Sequence, residues 1–313
     1  RVLDGDALDP PTLDEATAGM INGLLRATGD TYSQYFDGMH YNYYLEESSG
    51  EFGGIGVVLS EYEGRAYVTE VYDGTPAATA GIMAGDFIIG VDGDVRDDWS
   101  ADEVVRAVRG EPGKVLELAW RRPADRDDMG GERFSATVIT AAITYPNVTM
   151  EMDGDVSVIT ITQFNEKTTQ DVRAFIEQSI EDGATGFVLD LRNNPGGLLN
   201  KAIDMTSLFV SSGTVVQIDS RTSGSQRLSV DPELHMTDLP LVVLVNGDSA
   251  SASEIVAAAL QDHERALIVG EQSFGKGTVQ TLQELSFGGG VKFTIAHYLS
   301  PDGYVIDKVG VTP

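Results

Sequence analysis

The sequence lacks cysteine altogether, and it has only four histidines in 313 residues. Without cysteine the chain can form no disulfide, no thiolate metal site and no active site with a Cys nucleophile. This absence fits an exported bacterial protein, although a cytosolic protein can have the same composition. The sparse histidines point to no site, and a Ser–His arrangement through His263 or His297 stays open only as an alternative.

Basic residues and long apolar runs are also lacking. The 21 Lys and Arg residues face 49 Asp and Glu residues, which gives a net charge of −28. Such a surface repels phosphate backbones and anionic headgroups, which argues against nucleic-acid and polybasic membrane roles. No apolar run approaches the ~20 residues that span a bilayer. Because the chain begins at Arg1 without a signal-like region, we expect a trimmed or processed form whose export signal or anchor is absent.

Glycine and short alternating elements are abundant. The 35 glycines and the apolar content of 42% are typical of a turn-rich globular protein, and the length suggests two or three structural units. Helical spacing predicts one helix near residues 14–25. Short strands punctuated by glycine follow from Phe52, and the first of them is predicted over 53–59. From Val156 onward strands and helices alternate, which predicts an α/β core with crossover connections.

Several predicted helices carry cap signals. Thr75 followed by Pro76 predicts an N-cap and a first helical position. The stretch Ser100–Glu103 is a capping box. Thr168 is the predicted cap of a further helix, whose buried face is expected to include Ile180.

Three serines compete for the role of a nucleophile after an apolar run at 239–245. They are Ser249, Ser251 and Ser253. If a helix starts near Ala252, Ser251 is its N-cap, and the Ala252 N–H can hold an oxyanion. The alternative is that Ser251 is only a helix cap.

A lysine that stands alone between two glycines, Lys276, is the candidate base. The stretch 273–279 is nearly free of other charge and follows a buried strand. Burial would lower the pKa of the amine, and a neutral amine can take the proton of a serine hydroxyl. Gln280 lies four residues later and could orient the amine by hydrogen bonding. The alternative is an ordinary solvated loop lysine.

The stretch 190–199 predicts a strand, a Pro-Gly-Gly turn and a helix start. Such a turn brings bare backbone N–H groups, including that of Gly197, close to a ligand at the carboxyl end of a strand. An ordinary connection between a strand and a helix is the alternative.

A separate acidic loop contains four aspartates, Asp92, Asp94, Asp97 and Asp98. Their spacing fits no EF-hand pattern, so a solvated loop is preferred to a calcium site.

Taken together and in this order, the motifs resemble the carboxyl-terminal processing proteases, also called tail-specific proteases. The resemblance covers almost the whole chain, and the combination of motifs is specific where each alone is not. The motifs of the protease core are Asp190-Leu-Arg-Asn-Asn-Pro-Gly-Gly197, Ser249-Ala-Ser-Ala-Ser-Glu-Ile255 and Gly275-Lys-Gly-Thr-Val-Gln280. The motifs similar to a PDZ domain and its entry are Gly-Asp-Thr-Tyr-Ser33, Gly53-Gly-Ile-Gly56, Gly74-Thr-Pro-Ala-Ala78 and Ala80-Gly-Ile-Met-Ala-Gly-Asp86.

The resemblance implies a fold and a set of site residues. The implied fold class is α/β (α+β), with an N-terminal helical segment at 1–50, an inserted PDZ domain at 51–144 and a crotonase/ClpP-like Ser–Lys protease core at 145–313. The implied nucleophile is the middle serine of the cluster, Ser251, and the general base is Lys276, 25 residues later. The helper glutamine falls on Gln280, and the implied oxyanion donors are the N–H groups of Ala252 and Gly197.

The resemblance also implies a class of substrate. The backbone of Gly54, Ile55 and Gly56 would form a nest for a peptide α-carboxylate, while a strand edge pairs with the extended tail. A glycine turn without a ligand is the alternative. The expected partners are proteins or peptides with apolar C-terminal tails, and the PDZ domain is expected to gate the active site. An adaptor or activator and a homo-oligomer are compatible with this scheme, and no cofactor, metal or nucleic acid is implied.

The implied location is outside the cytoplasm: periplasm, cell envelope or extracellular space. The family has a further core segment after the stretch 310–313, so we expect a C-terminal or dimerisation element to be missing from this chain.

Two functions of other classes remain. One is a non-catalytic PDZ-containing scaffold or ligand-binding protein on the same fold, which would need no Ser251–Lys276–Gln280 set. The other is a crotonase-like acyl-CoA enzyme, which would use the same oxyanion geometry but has no role for the PDZ signature.

Overall fold

The structure, a computed structural model, describes residues 11–144 and 146–313. Residues 1–10 of the predicted N-terminal segment therefore lie outside the described residues. The chain divides into two compact units, one of which contains residues 11–50 and 146–313 and the other residues 51–144. Within the described ranges, no helix is long and apolar enough to cross a membrane.

Seven α-helices and eighteen strands lie in the described part of the chain. The helices are α1 Leu13–Ala27, α2 Gly38–Ser49, α3 Pro76–Ala80, α4 Ala101–Val108, α5 Thr168–Glu181, α6 Leu199–Phe209 and α7 Ala252–Asp262, with a 3₁₀ turn at Pro232–Leu234. The strands are β1 Gln34–Phe36, β2 Glu51–Gly54, β3 Val57–Tyr62, β4 Arg65–Val71, β5 Phe87–Val91, β6 Asp94–Val95, β7 Val115–Arg122, β8 Glu132–Ile139, β9 Ala141–Thr144, β10 Val148–Asp153, β11 Val156–Ile161, β12 Gly186–Asp190, β13 Thr214–Ser220, β14 Gly224–Ser229, β15 Leu241–Val245, β16 Leu267–Gly270, β17 Thr278–Glu284 and β18 Gly290–Leu299.

A mostly parallel sheet forms the core of the first unit. Its strand order is β10-β11-β12-β15-β16, in which β11, β12, β15 and β16 are parallel and β10 is antiparallel. The predicted α/β core with crossover connections is thus confirmed. The carboxyl ends of β12 and β15 lie side by side, since Asp190 pairs with Leu244. Ligands bind at such ends in α/β sheets, and the Pro-Gly-Gly turn and the serine cluster both follow there.

Helix α7 is buried on all sides over Ala252–Leu260. Because residues 255–260 are buried all round, this part of the helix has no polar face. It packs in the same core as Ile159, Leu189 and Val243 of the parallel sheet. The site at its N-terminus therefore stands on a rigid element.

A second sheet of this unit brings together segments far apart in the sequence. Strand β18 pairs with β17 along one side, and with β13 and β1 along the other. In the β1 pairing Gln34 lies opposite Lys292. The N-terminal residues 34–36 are consequently part of the same sheet as Gln280.

The other unit is a small β-rich domain. Its main sheet has the order β3-β4-β5-β7-β8 with β6 beside β5, and β2 pairs with β9. Thr75 caps α3 ahead of Pro76, and Ser100 forms a capping box with Glu103, so these predicted cap signals are confirmed.

Several predictions about individual elements are wrong. The strand predicted over 53–59 is broken between β2 and β3. Helix α2 was not predicted, because its tyrosines follow no clear helical period. Strands β14 and β17 were also missed. Thr168 is the first residue of α5 rather than its cap, and Ile180 is 44% exposed instead of buried.

Asp86 generates a prediction about the stability of the second unit. This carboxylate is fully buried and accepts hydrogen bonds from Arg122 Nε and Nη2, each at 2.8 Å. Asp86→Ala should lower the free energy of unfolding by about 2–3 kcal/mol, because it removes a buried, charge-assisted pair. Both tryptophans of the chain, Trp99 and Trp120, are buried in this unit, so denaturant unfolding followed by tryptophan fluorescence measures the effect.

The matched control is Asp98→Ala, since Asp98 is 80% exposed and pairs with Arg96 at the surface. Its effect should stay within about 0.5 kcal/mol. Equal effects of the two substitutions would show that the buried pair does not stabilise this unit.

Candidate active site

Of the three candidate serines, only Ser251 is among the residues that line the cavity of about 340 Å³ described below. Ser249 and Ser253 are fully buried, and their hydroxyls donate to the carbonyls of Leu191 at 2.8 Å and Asn194 at 3.0 Å. These two hydroxyls thus hold the Pro-Gly-Gly turn against the start of α7. Ser251 is half-buried, so its hydroxyl can meet a ligand.

The backbone of Ser251 has an unusual conformation, with φ +56° and ψ −113°. Positive φ is disfavoured for a residue with a side chain and costs about 1–3 kcal/mol. Such strain is common where a nucleophile is presented on a sharp turn between a strand and a helix. β15, the turn and α7 form an arrangement of that kind.

Lys276 lies on the loop between β16 and β17, where it is half-buried. Burial lowers the pKa of its amine, the nearby charge of Lys292 lowers it further, and the Glu254 carboxylate raises it. The loop packs tightly against the C-terminal residues, because a Cβ at Gly277 would lie 2.2 Å from the Asp307 backbone nitrogen. A glycine beside the lysine is therefore required by packing.

Lys276 and Ser251 line the same cavity without a direct hydrogen bond. Within the described residues, Nζ of Lys276 donates to neither Ser251 nor Gln280, and it lies over the ring of Tyr32. Gln280 also lines the cavity, and its Nε2 donates to Thr278 Oγ1 at 2.8 Å and to Thr294 Oγ1 at 3.3 Å. The amide oxygen of Gln280 is then left to accept from an ammonium group.

Two residues that line the cavity have a backbone N–H without an acceptor in the described ranges. Neither Gly197 N–H nor Ala252 N–H donates to any acceptor in the described ranges. The segments that carry them touch, since a Cβ on Gly196 would lie 2.7 Å from Ser251 Cβ and 2.8 Å from Ala252 N. Glycine is needed at 196 for this approach. Two such donors are the usual composition of an oxyanion hole.

Glu254 is a functional residue that the sequence did not reveal. Its fully buried carboxylate accepts from Ser251 N–H at 2.8 Å, from Ser273 Oγ and Gly275 N–H at 2.6 Å each, and from Lys276 N–H at 2.9 Å. It therefore joins the main chain of the serine to that of the lysine loop. In the sequence it resembles an ordinary acidic residue of a first helical turn.

The cavity has a volume of about 340 Å³ and lies wholly within the first unit. Besides the predicted residues it is lined by Tyr298, which is buried and donates to the Lys276 carbonyl. Burial raises the pKa of Tyr298 well above its ordinary value, so the phenol stays protonated. Tyr44 and Lys292, also unpredicted, are among the other residues that line it.

The histidines and the acidic loop, which the sequence offered as alternative sites, do not line this cavity. Neither His263 nor His297 lines the cavity, and His263 Nε2 is within 2.8 Å of the Thr214 carbonyl oxygen. In the acidic loop, Asp94 and Asp98 pair with Arg96. No group of three or more His, Asp or Glu side chains in the described ranges could hold a metal ion.

In the second unit, the residues of the predicted nest lie where β2 ends and β3 has not yet begun. The carbonyl of Ile55 accepts from Ala77 N–H at 2.8 Å, and that of Gly56 accepts from Tyr72 N–H at 3.0 Å. The N–H groups of Ile55 and Gly56 donate to no acceptor in the part of the chain that is described.

Comparison with known proteins gives two family matches. Residues 155–313 match peptidase family S41, and residues 67–122 match the PDZ domain.

Similar curated proteins carry the name of a processing protease. The carboxy-terminal-processing protease of Bartonella bacilliformis is 39% identical over 300 residues, which cover 94% of this chain and 67% of that protein. The carboxy-terminal processing protease CtpA of Bacillus subtilis is 35% identical over 302 residues, covering 96% and 63%. The chain thus spans about two thirds of the length of these relatives.

Solved structures show the same fold. The photosystem II D1 C-terminal processing protease aligns with a TM-score of 0.57 and 29% identity, covering 98% of this chain and 83% of that one. An S41 protease structure from Bacteroides fragilis aligns with a TM-score of 0.56 at 16% identity, and supports the fold alone.

Glu254 generates the prediction of this subsection. Glu254→Ala leaves the N–H groups of Ser251, Gly275 and Lys276 without their acceptor, at about 1–3 kcal/mol for each buried donor. We expect these amides to lose protection in native-state hydrogen exchange, because the lysine loop opens locally. Ser273→Ala is the control: it removes one of the four donors and keeps the carboxylate, so protection should persist. Unchanged protection in Glu254→Ala would contradict the role given to this carboxylate.

Proposed function

The chain belongs to peptidase family S41, and we propose that it is a serine endopeptidase that recognises protein C-terminal tails and cleaves peptide bonds through an acyl-enzyme intermediate. The observation that carries the proposal is the shared cavity, which is lined by Ser251, Lys276 and two residues whose N–H groups have no acceptor in the part of the chain that is described. A hydroxyl, a base and an oxyanion site are the parts that acyl transfer needs.

In the proposed acylation step, Ser251 Oγ attacks the carbonyl carbon of the scissile peptide bond while the neutral Lys276 amine takes the hydroxyl proton. The carbonyl oxygen becomes an oxyanion, which the N–H groups of Gly197 and Ala252 stabilise by hydrogen bonding. The Lys276 ammonium then gives its proton to the leaving nitrogen, the C–N bond breaks, and the acyl-enzyme ester remains.

Deacylation repeats these steps with water as the nucleophile. Lys276 takes a proton from the water, the hydroxide attacks the ester, and the second oxyanion uses the same two N–H groups. The ammonium returns the proton to Ser251 Oγ as the ester bond breaks. Gln280 orients the ammonium through its amide oxygen, since its Nε2 is engaged by the two threonines.

Each of the two alternative functions leaves some of the observed features without a role. A non-catalytic scaffold needs neither a strained serine nor a lysine whose pKa is lowered by burial. An acyl-CoA enzyme has no use for the PDZ domain.

We further propose that the PDZ domain binds the α-carboxylate of an apolar tail at the N–H groups of Ile55 and Gly56, beside Gly54. We also propose a location outside the cytoplasm, in the periplasm, cell envelope or extracellular space, with which the absence of cysteine is compatible. An adaptor or activator and a homo-oligomer stay predictions.

Substitution of the proposed nucleophile and base tests the mechanism. Ser251→Ala and Lys276→Ala should each lower the hydrolysis of casein by at least about 10³-fold while the fold stays intact, because each removes one half of the proton-transfer pair. Lys276→Arg should be equally inactive, since a guanidinium stays protonated. Ser211→Ala, at an exposed position that does not line the cavity, is the matched control and should retain activity. Cleavage by Lys276→Ala at the wild-type rate would exclude the mechanism.

Tail recognition is tested with paired peptide substrates. A peptide that ends in leucine or alanine should be cleaved with a kcat/KM at least about tenfold higher than that of the same peptide with a C-terminal amide or aspartate. The reason is that the PDZ domain is proposed to bind both the α-carboxylate and an apolar last side chain. The internal sequence is identical in each pair and serves as the control. Equal rates for all the peptides would remove the case for tail recognition.

A further inference from the structure

The amine of Lys276 lies against an aromatic face. Its Nζ is 5.2 Å from the ring centroid of Tyr32, within the range of a cation–π interaction. In the described ranges no carboxylate oxygen forms an ion pair with this amine. Tyr32 thus contacts the nitrogen that, in the mechanism proposed above, takes and returns every proton.

Tyr32 lies in a turn that the Asp30 carboxylate stabilises by hydrogen bonds. Asp30 Oδ1 accepts from Tyr32 N–H at 2.9 Å, and Asp30 Oδ2 accepts from Ser33 Oγ at 2.5 Å. The same carboxylate accepts from Thr294 N–H at 3.2 Å, which fastens the turn to β18. One residue after Ser33, β1 joins the same sheet. The backbone at Tyr32 is therefore fastened to the sheet that carries Gln280.

We propose that Tyr32 is a further catalytic residue, whose ring face stabilises the ammonium form of Lys276 that arises when the base takes a proton. The inference rests on the function proposed above. It gives the segment 30–33 a direct part in the chemistry.

The need for such a group follows from the surroundings of the amine. Proton uptake creates a charge at a half-buried site, and both burial and the charge of Lys292 disfavour that charge. Glu254 favours it, but this carboxylate is already engaged by four hydrogen bonds. The other titratable groups that face this pair are Asp30, Asp307 and Tyr298. A ring face favours the ammonium without fixing the amine in an ion pair, so the nitrogen remains able to donate its proton.

The first test is a substitution series at Tyr32 in the whole chain. Tyr32→Phe keeps the ring, Tyr32→Trp enlarges its face, and Tyr32→Leu keeps apolar bulk without a ring. Loss of the ring removes a stabilisation of the charged form, so the pKa of Lys276 falls. In Tyr32→Leu, the acid limb of kcat/KM for peptide hydrolysis should move about one pH unit lower and kcat should fall about tenfold. Tyr32→Phe should leave the acid limb at its wild-type pH, and Tyr32→Trp should move it to a higher pH.

A second readout needs no catalysis. Trace labelling of amines with acetic anhydride over a pH series, followed by mass spectrometry of the peptide that contains Lys276, gives the midpoint at which this amine becomes reactive. The midpoint should be lowest in Tyr32→Leu, the same in Tyr32→Phe as in the wild type, and highest in Tyr32→Trp. Equal midpoints in Tyr32→Leu and Tyr32→Phe would overturn the proposal. If Tyr32→Leu fails to fold, a midpoint in Tyr32→Trp that is no higher than that of the wild type would overturn it. If the wild type hydrolyses no peptide, the proposed function fails, while the labelling still decides whether the ring acts on the lysine.

Discussion

The geometry of the candidate site depends on one buried carboxylate. Glu254 receives hydrogen bonds from the main chain of Ser251 on one side and of Gly275 and Lys276 on the other. A buried charge is costly unless it is paired or hydrogen-bonded, and four donors offset that cost. Because three of these donors are backbone groups, the carboxylate fixes the path of two segments rather than single rotamers. The distance between the proposed nucleophile and its base is thus set by a residue that takes part in no proposed proton transfer.

The charge distribution around the cavity opposes that of the chain as a whole. The sequence carries a net charge of −28, yet two lysines, Lys276 and Lys292, line the cavity. Burial and the charge of Lys292 lower the pKa of Lys276, while Glu254 acts in the opposite direction. The protonation state of the Lys276 amine is therefore set by opposing influences of known sign, and their net effect is in the direction that the proposed role as a base needs.

The sequence predicted local features well and long-range ones poorly. The caps at Thr75 and Ser100 are encoded within four residues, and the parallel core follows from alternating apolar runs. By contrast, β17 was missed because its threonines and glutamines lack an apolar alternation, although it carries Gln280. The four partners of Glu254 and the ring against Lys276 come together only through tertiary packing. The resemblance to a family supplied the predicted site residues, but it did not indicate these supporting groups.

The conformation of Ser251 sets selection for stability against selection for the proposed activity. With φ at +56°, the position suits glycine better than serine, since glycine has no side chain to oppose a positive φ. A glycine there would relieve backbone strain and, at the same time, delete the hydroxyl on which the proposed chemistry depends. A library ranked by thermal stability alone would therefore enrich the loss of that hydroxyl. Engineering of a more robust variant has to keep residue 251 fixed and seek its gains elsewhere.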